Sequence, residues 1–292
     1  MQKYVAKHAA EGLRADVFVA KRLGGFARSS LKRLFRQSQV LINGSPAKAS
    51  RRLHFGDRVA VDTASISAKP PFINLPVLYE DQDVVVINKP AGLLSHAKGG
   101  LNLEPSVASF LTSKITDKNL HGNRFGVVHR LDRATSGVII GAKSQESQKK
   151  LQEQFAGRSV KKTYLAIVNG EPKPAEAIID APIGRNPKKP QTFRVSARGK
   201  SARSRYRVKK TFHRHNQTYS LLELEPTTGR THQLRVHLAY IGHPIVGDKI
   251  YGHQGAELLL HASALELTLP NGSRRLFKAP MPARISEFIN EP

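Results

Sequence analysis

His129-Arg130-Leu131-Asp132-Arg133-Ala134-Thr135-Ser136-Gly137 is followed directly by the apolar run Val138-Ile139-Ile140 in this chain of 292 residues. The stretch places one carboxylate, Asp132, between two arginines and closes on Thr-Ser-Gly, which is typical of a tight turn before a strand. The neighbouring guanidinium groups favour the ionised carboxylate and are suited to binding phosphate. The stretch therefore predicts an anionic nucleophile or base, held on a turn, that acts on a nucleic acid.

Two other interpretations compete for this stretch. An Arg-x-Asp-Arg sequence is most often a solvated ion-pair cluster on a protein surface. The same letters also resemble the catalytic loop of protein kinases. That loop requires a Gly-rich phosphate loop and a metal-binding Asp-Phe-Gly, and the sequence contains neither. A kinase is therefore excluded.

The composition indicates a polyanionic partner. Lysine and arginine number 47 against 22 acidic residues, which gives a formal net charge of +25, and clustered cations bind nucleic acid by releasing phosphate counterions. The chain has no cysteine, which excludes a disulfide framework, a cysteine zinc site and thiol catalysis. Its 12 histidines include no His-x-x-x-His pair with an acidic partner, so we expect no metal site.

The same sequence gives no sign of a membrane protein. No apolar run is long enough to span a bilayer, no lipidation motif is present, and residues 1–4 lack the apolar core of a signal peptide. We therefore expect a cytoplasmic protein without a membrane partner. The sequence carries no signal for the oligomeric state, and a monomer is the default expectation.

Residues 1–64 are predicted to form a small separate domain. Apolar residues recur at helical spacing over 13–23, and strands are expected at 40–42 and 58–61, with Asn43-Gly44 as a tight turn. The second predicted helix has one cationic face, formed by Arg28, Lys32, Arg33 and Arg36. The unit resembles the S-four RNA-binding domain, named for a ribosomal protein, in Leu13-Arg14-Ala15-Asp16, Val40-Leu41-Ile42-Asn43-Gly44 and Gly56-Asp57-Arg58-Val59.

Residues 65–76 are rich in Ser, Ala, Lys and Pro and are predicted to be a linker. The second domain, 77–292, shows more strand patterns than helix patterns, with helices expected only near 145–155 and 231–241. This distribution predicts an α+β fold with a mixed, mainly antiparallel β-sheet.

Five segments of the second domain, taken in order, resemble the RluA-type family of RNA pseudouridine synthases. They are Asn88-Lys89-Pro90-Ala91-Gly92, the run from His129 to Gly137, Lys162-Thr163-Tyr164-Leu165-Ala166, the run from Gly229 to His237, and the run from Gly242 to Asp248. The resemblance implies isomerisation of uridine to pseudouridine without a cofactor or metal. It also implies that Asp132 is the catalytic residue.

The resemblance assigns substrate-binding roles to three further residues. Arg130 is expected to take the place of the flipped uridine in the RNA stack, where a phosphate contact is the alternative. Tyr164 is expected to stack on uracil, and its hydroxyl is a candidate general base. Arg235 is expected to form a bidentate pair with Asp132, and Arg230 is the alternative partner.

Two expectations concern the RNA itself. Between Asp180 and Glu223 there are 12 Lys or Arg and no acids, which predicts a long basic hairpin or loop that grips RNA, a solvated charged loop being the alternative. The S-four resemblance favours large-subunit (23S) ribosomal RNA as the substrate. A transfer RNA substrate, or a non-catalytic RNA-binding factor in ribosome assembly, is the alternative.

Overall fold

The computed structural model describes residues 1–24, 28–64, 73–96, 104–115, 117, 126–252 and 257–290, and for 28–30 it describes the backbone alone. The amino-terminal part contains four strands, β1 Gln2–Val5, β2 Val40–Ile42, β3 Ser45–Pro46 and β4 Arg58–Val61. It also contains a 3₁₀ turn at His8–Ala10 and two helices, α1 Ala15–Leu23 and α2 Arg28–Arg36.

The four strands form one antiparallel sheet in the order β1-β4-β2-β3. Asn43 and Gly44 join β2 to β3 with φ of 54° and 84°, as a tight hairpin requires. Buried side chains of both helices, among them Phe18 and Leu34, pack with the strands into one apolar core. The sequence predicted both helices, β2 and β4. It missed β1, a mostly exposed edge strand without a clear alternating pattern.

The second part is dominated by strands. They are β5 Val77–Glu80, β6 Val84–Lys89, β7 Ser136–Ala142, β8 Lys161–Asn169, β9 Glu176–Asp180, β10 Ile183–Arg185, β11 Phe193–Val195, β12 Arg203–Arg214, β13 Gln217–Pro226, β14 Leu260–Thr268 and β15 Arg274–Lys278. The helices are α3 Val107–Thr112, α4 Gln145–Ala156, α5 Gln233–Tyr240 and α6 Ala283–Asn290.

Nine of these strands form one sheet in the order β5-β6-β7-β14-β8-β13-β12-β9, with β15 beside β14. The described pairs are antiparallel except for β7 and β14, which run parallel. The predicted α+β fold with a mixed, mainly antiparallel sheet is therefore confirmed.

Strands β6 and β7, the second and third strands of this sheet, are buried on both faces. Val86 and Ile140 pack into a core on one side, whereas Ile87 and Ile139 pack on the other, because successive side chains of a strand point to opposite faces. Strand β7 begins at Ser136, directly after the segment that contains Asp132.

The predicted basic hairpin or loop corresponds to two hairpins rather than one. Strands β10 and β11 form the first. The long strand β12 forms the second with β13, across the two-residue turn His215-Asn216, and it also pairs with β9 in the main sheet. Its arginines face acids on those neighbours, as in the contacts of Arg205 with Glu176 and of Arg207 with Glu223. The expectation of an uncompensated charge was wrong for Arg203, Arg205 and Arg207, because the acids that face them across the sheet are distant in sequence.

Two further predictions concern segments between elements. Most of the predicted linker, residues 65–72, lies outside the described residues, and Leu75 in the described remainder packs into the core beside β6. The boundaries at 64 and 77 stay predictions. In the described ranges no helix is long and apolar enough to cross a membrane.

Candidate active site

The segment that carries Asp132 is held by backbone contacts on both sides of that residue. Ser95 Oγ accepts a hydrogen bond from Leu131 N at 3.0 Å and donates one to Leu131 O at 2.8 Å. Thr135 N donates to Asp132 O at 3.1 Å and closes a turn. The turn therefore covers Asp132 to Thr135. Ser136 and Gly137 already belong to β7, so the strand begins two residues earlier than the sequence suggested.

The second motif, around Lys89, fastens the other side of the loop. Gly92 N donates to Arg133 O at 2.8 Å, and Arg133 Nε returns a bond to Gly92 O at 2.8 Å. The fully buried Lys89 Nζ donates to the carbonyls of Pro90, Leu93 and Arg133. Burial lowers the pKa of Lys89 to about 7 against the opposing pull of Asp132, and three acceptors match the three protons of an ammonium group.

Arg133 also pairs with Glu104 at 2.9 Å. Arg133 is therefore paired with an acid at the protein surface, whereas the sequence suggested that it contacts the RNA backbone or is a surface charge.

Two other residues of the opening stretch have structural roles. Gly137 has φ of +116°, and a Cβ there would lie 2.1 Å from Ala262 O, so only glycine fits where β7 meets β14. His129 Nε2 accepts a hydrogen bond from Ile140 N at 3.1 Å, and its ring stacks on Phe155 at 4.4 Å. Burial, helped by Lys162, lowers the pKa of His129 to about 3, so this imidazole is neutral.

Two cationic or titratable groups approach the Asp132 carboxylate, and both come from the region of α5. Arg235 Nη1 lies 3.7 Å and His232 Nε2 3.8 Å from Asp132 Oδ2. Among the described residues, no ion pair within 4.0 Å joins Asp132 to either neighbouring arginine. The flanking guanidinium groups are therefore not its partners.

Arg235 makes its bidentate pair with a different acid from the one expected. Its Nε and Nη2 donate to the two oxygens of Asp248 at 2.7 Å each, and the residues are 6% and 1% exposed. The expected bidentate geometry with Asp132 was wrong, because Asp248 occupies the guanidinium fork and leaves Nη1 toward Asp132. The alternative partner, Arg230, instead donates from Nε to Ser201 O at 3.0 Å.

Asp248 is itself firmly held. Its Oδ1 also accepts the backbone amides of Ile250 and Tyr251 at 2.9 and 3.1 Å. Burial alone would raise the pKa of Asp248, but the Arg235 pair and these amides outweigh burial and lower it. Arg235 is thus a fixed cation rather than a mobile one.

Tyr164 lies on β8 and reaches the same site across β14. Ala262 pairs with Gly137 on one side and with Tyr164 on the other, so the sheet register sets the distance between Tyr164 and the Asp132 loop. Burial, and then the charge of Asp132, raise the pKa of the Tyr164 phenol. The hydroxyl is therefore protonated at neutral pH, which favours stacking or hydrogen-bond donation over proton abstraction by a phenolate.

These side chains line a cavity of about 410 Å³, a size typical of small-molecule sites. Arg130 is exposed and contributes to its lining. Further side chains of the lining that could contact a nucleotide are Phe155, Arg158, Lys162 and Arg230. The structure thus brings together Asp132, Tyr164, Arg235, Arg130 and Arg230 around one opening, although Arg230 does not reach Asp132.

Several residues of the site were missed by sequence reasoning. Lys89 lies inside the Asn88–Gly92 motif, and Asp248 is the last residue of the Gly242–Asp248 motif. Their place in these motifs was the only sequence feature that could have pointed to them. The 12 histidines were considered only for metal binding, so His232 received no role, and nothing in the local sequence marked Ser95 or Tyr251. In the described part of the chain no group of three His, Cys, Asp or Glu residues could hold a metal ion.

Comparison with known proteins extends these observations. The family model for RNA pseudouridylate synthases matches residues 83–240. The chain is 35% identical over 288 residues to an uncharacterized RNA pseudouridine synthase of Bacillus subtilis, covering 94% of this chain and 93% of that protein. It is 35% identical over 295 residues to ribosomal large subunit pseudouridine synthase D of Borreliella burgdorferi, covering 95% and 89%.

A solved structure agrees with this result. The human RNA pseudouridylate synthase domain containing 1 has a TM-score of 0.59 and 27% identity, covering 72% of this chain and 85% of that one. Because the family model spans more than half of the chain and the relatives match nearly its whole length, the chain belongs to the RNA pseudouridylate synthase family and is an isomerase that acts on RNA.

Proposed function

We propose that this enzyme converts uridine to pseudouridine in large-subunit ribosomal RNA, with Asp132 as the reacting group. The observation that carries the proposal is a carboxylate fixed on both sides by backbone bonds and facing a cavity beside Tyr164 and Arg235. Three of the relatives are named ribosomal large subunit pseudouridine synthase D, which supports ribosomal RNA over transfer RNA.

The reaction is a balanced isomerisation. The bond from the ribose anomeric carbon to uracil N1 breaks, a bond from that carbon to uracil C5 forms, C5 loses a proton and N1 gains one. No electron leaves the substrate, so the proposal includes no cofactor. A carboxylate at Asp132 has three suitable roles: attack on the anomeric carbon, stabilisation of an oxocarbenium-like state, or removal of a ribose proton to give a glycal.

The other residues at the opening recognise the flipped nucleotide. A base inside a helix must leave its stack to reach Asp132, and the exposed planar cation of Arg130 is suited to fill the gap by stacking. Tyr164, neutral and largely buried, presents a ring on which uracil can stack. Arg235 supplies positive charge next to Asp132 without movement, because Asp248 holds it.

Affinity for RNA comes largely from outside the cavity in this proposal. The predicted S-four-like domain of residues 1–64 has its own apolar core, and α2 carries the exposed cations Lys32, Arg33 and Arg36. The hairpin of β10 and β11 contributes Lys188 and Lys189 between its strands. A cytoplasmic monomer fits this function, since the cavity is formed within one chain.

Substituting Lys32, Arg33 and Arg36 together by Gln tests the role of α2. We expect weaker RNA binding and a binding constant that depends less on salt, with the logarithmic slope smaller by roughly 2–3, because each phosphate contact contributes about 0.7–0.9. Binding isotherms at several salt concentrations measure this slope.

A triple Gln variant of Lys149, Lys150 and Lys278, which are also exposed, is the control for lost charge. Equal slopes for the two triple variants would contradict a specific role for α2.

Mapping pseudouridine across total RNA from cells with and without the protein tests the substrate. The proposal expects positions in large-subunit ribosomal RNA to lose the modification when the protein is absent. Loss confined to transfer RNA would overturn the substrate assignment, and no loss at any position would favour a non-catalytic RNA-binding factor.

A further inference from the structure

We infer that His232, oriented by Tyr251, is a positioning residue that donates a hydrogen bond from Nε2 to Asp132 Oδ2 and leaves Oδ1 as the reacting oxygen. The inference rests on the proposed role of Asp132. It adds a second fixed donor to the one supplied by Arg235.

The backbone of His232 is unusual. Its φ and ψ are 57° and 22°, the left-handed conformation, at the residue that precedes α5. A positive φ is uncommon for residues other than Gly, although Asn, Asp and His adopt it more readily than the rest, and such conformations are often found at functional sites. The imidazole makes no capping bond to the helix, so the usual task of a side chain at this position does not explain it.

The ring of His232 is fixed by aromatic neighbours. It lies edge-on to Phe193 at 5.8 Å and to Tyr251 at 5.6 Å between ring centres. Its Nδ1 lies 2.8 Å from Tyr251 Oη. Tyr251 is held in turn, because its amide donates to Asp248 and its ring lies beneath the Arg235 guanidinium at 5.2 Å.

The hydrogen bonds determine which nitrogen of His232 carries the proton. Tyr251 Oη accepts the amide of Phe193 at 3.0 Å, which leaves the phenolic hydrogen to be donated to His232 Nδ1. A neutral imidazole that accepts at Nδ1 carries its hydrogen at Nε2. That is the atom 3.8 Å from Asp132 Oδ2.

Burial keeps His232 in this neutral form. Burial lowers its pKa, although the Asp132 carboxylate acts in the opposite direction. The other groups that face the ring are Arg235, Asp248, Arg130 and Tyr251.

The distances of 3.7 and 3.8 Å are longer than hydrogen bonds, and such catalytic contacts commonly shorten when substrate binds and water leaves. Arg235 and His232 both approach Oδ2 of Asp132. Shortening of these two contacts would therefore fix the carboxylate through that oxygen.

Two amide substitutions at His232 separate positioning from backbone strain. Gln places its amide near the position of Nε2 and can still donate to Asp132, whereas Asn ends near Nδ1 but suits the left-handed backbone better. We expect His232→Gln to retain most of kcat, and His232→Asn to lower kcat on the order of 10²-fold with little change in KM. Tyr251→Phe, which keeps the ring but frees the tautomer, is expected to lower kcat by a smaller factor.

Matched controls exist for both positions. His215 is exposed and also left-handed, with φ of 46°, so the thermal stability of His215→Gln and His215→Asn reports the backbone preference alone. Tyr240 is 63% exposed, and Tyr240→Phe should keep kcat unchanged.

The inference is overturned if His232→Asn equals or exceeds His232→Gln in kcat, or if Tyr251→Phe keeps the full kcat of the unmodified enzyme. An Asp132→Asn variant in the same assay distinguishes a failure of the proposed role of Asp132 from a failure of the inferred role of His232. Turnover in that variant would defeat the proposed role of Asp132, whereas its inactivity beside unaffected His232 variants would defeat this inference alone.

Discussion

Asp132→Asn is expected to abolish pseudouridine formation, with a loss of turnover on the order of 10⁴-fold or more, as found when a group of the reacting unit is removed. The amide has nearly the shape of the carboxylate but is neutral, so it can neither attack the anomeric carbon nor accept a ribose proton. The loop should keep its conformation, because its bonds run through Ser95, Leu131 and Arg133 rather than through the Asp132 side chain. RNA binding should therefore remain close to that of the unmodified enzyme.

Release of tritium from C5 of labelled uridine measures this turnover directly, since that hydrogen leaves when the new carbon–carbon bond forms. Asp180→Asn, at an exposed carboxylate of β9, controls for the loss of one negative charge. Retained tritium release in the Asp132 variant would remove the basis of the site assignment.

Arg235→Met is expected to impair both stability and turnover. The change leaves Asp248, 1% exposed, as an uncompensated buried charge, which typically costs about 3–5 kcal/mol of the free energy of unfolding. It also removes the fixed cation 3.7 Å from Asp132. Thermal unfolding and the tritium assay report these two effects separately.

The double variant Arg235→Met with Asp248→Asn separates the structural role from the functional one. The neutral amide that replaces the Asp248 carboxylate can still accept the backbone amides of Ile250 and Tyr251. Most of the lost stability should therefore return, because a buried pair replaced as a whole is often nearly neutral. Turnover should stay low, since Asp132 still lacks its neighbour. Full recovery of turnover in the double variant would show that Arg235 acts only through folding.

The stability defect of Arg235→Met should also depend on pH. In the unmodified enzyme the pKa of Asp248 is lowered, so its contribution to stability is present above the pKa of the unfolded chain and is lost as pH falls through the folded value. In the variant the burial effect remains without the Arg235 bond, so the pKa of Asp248 is raised and protonation relieves the unpaired charge. The difference in Tm between the two proteins should therefore narrow from about pH 7 to about pH 5.

The sequence predicted the elements whose patterns are local. Strand β7 follows from the short β-branched run Val138-Ile139-Ile140, and α4 follows from the helix expected near 145–155. Helix α5 begins at Gln233, two residues later than expected at 231, because His232 adopts a left-handed backbone. The periodicity of apolar residues does not indicate where a single residue adopts a left-handed backbone.

Charge pairing was the least predictable property. In the sequence, the positive charge of the β12 arginines has no acidic residue nearby to compensate it. Their acidic partners lie on β9 and β13, and only the register of the sheet brings those strands opposite them. Arg235 was assigned to the Asp132 region by family resemblance, but its fork is occupied by Asp248, thirteen residues along the chain. Pairs of this kind depend on which backbone segments meet in three dimensions.

The sequence by itself predicted the α+β class and the polyanionic partner, and its long contiguous motif singled out Asp132 as the candidate catalytic residue. Composition, strand periodicity and a contiguous motif are all local properties. The tertiary structure alone decided which groups surround that carboxylate. Neither of the arginines beside Asp132 in sequence pairs with it, and the groups that approach Oδ2 are Arg235 and His232. The reason is physical: a turn fixed by Ser95, Gly92 and Lys89 presents the Asp132 side chain to the start of α5, where Asp248 and Tyr251 hold its two neighbours in place.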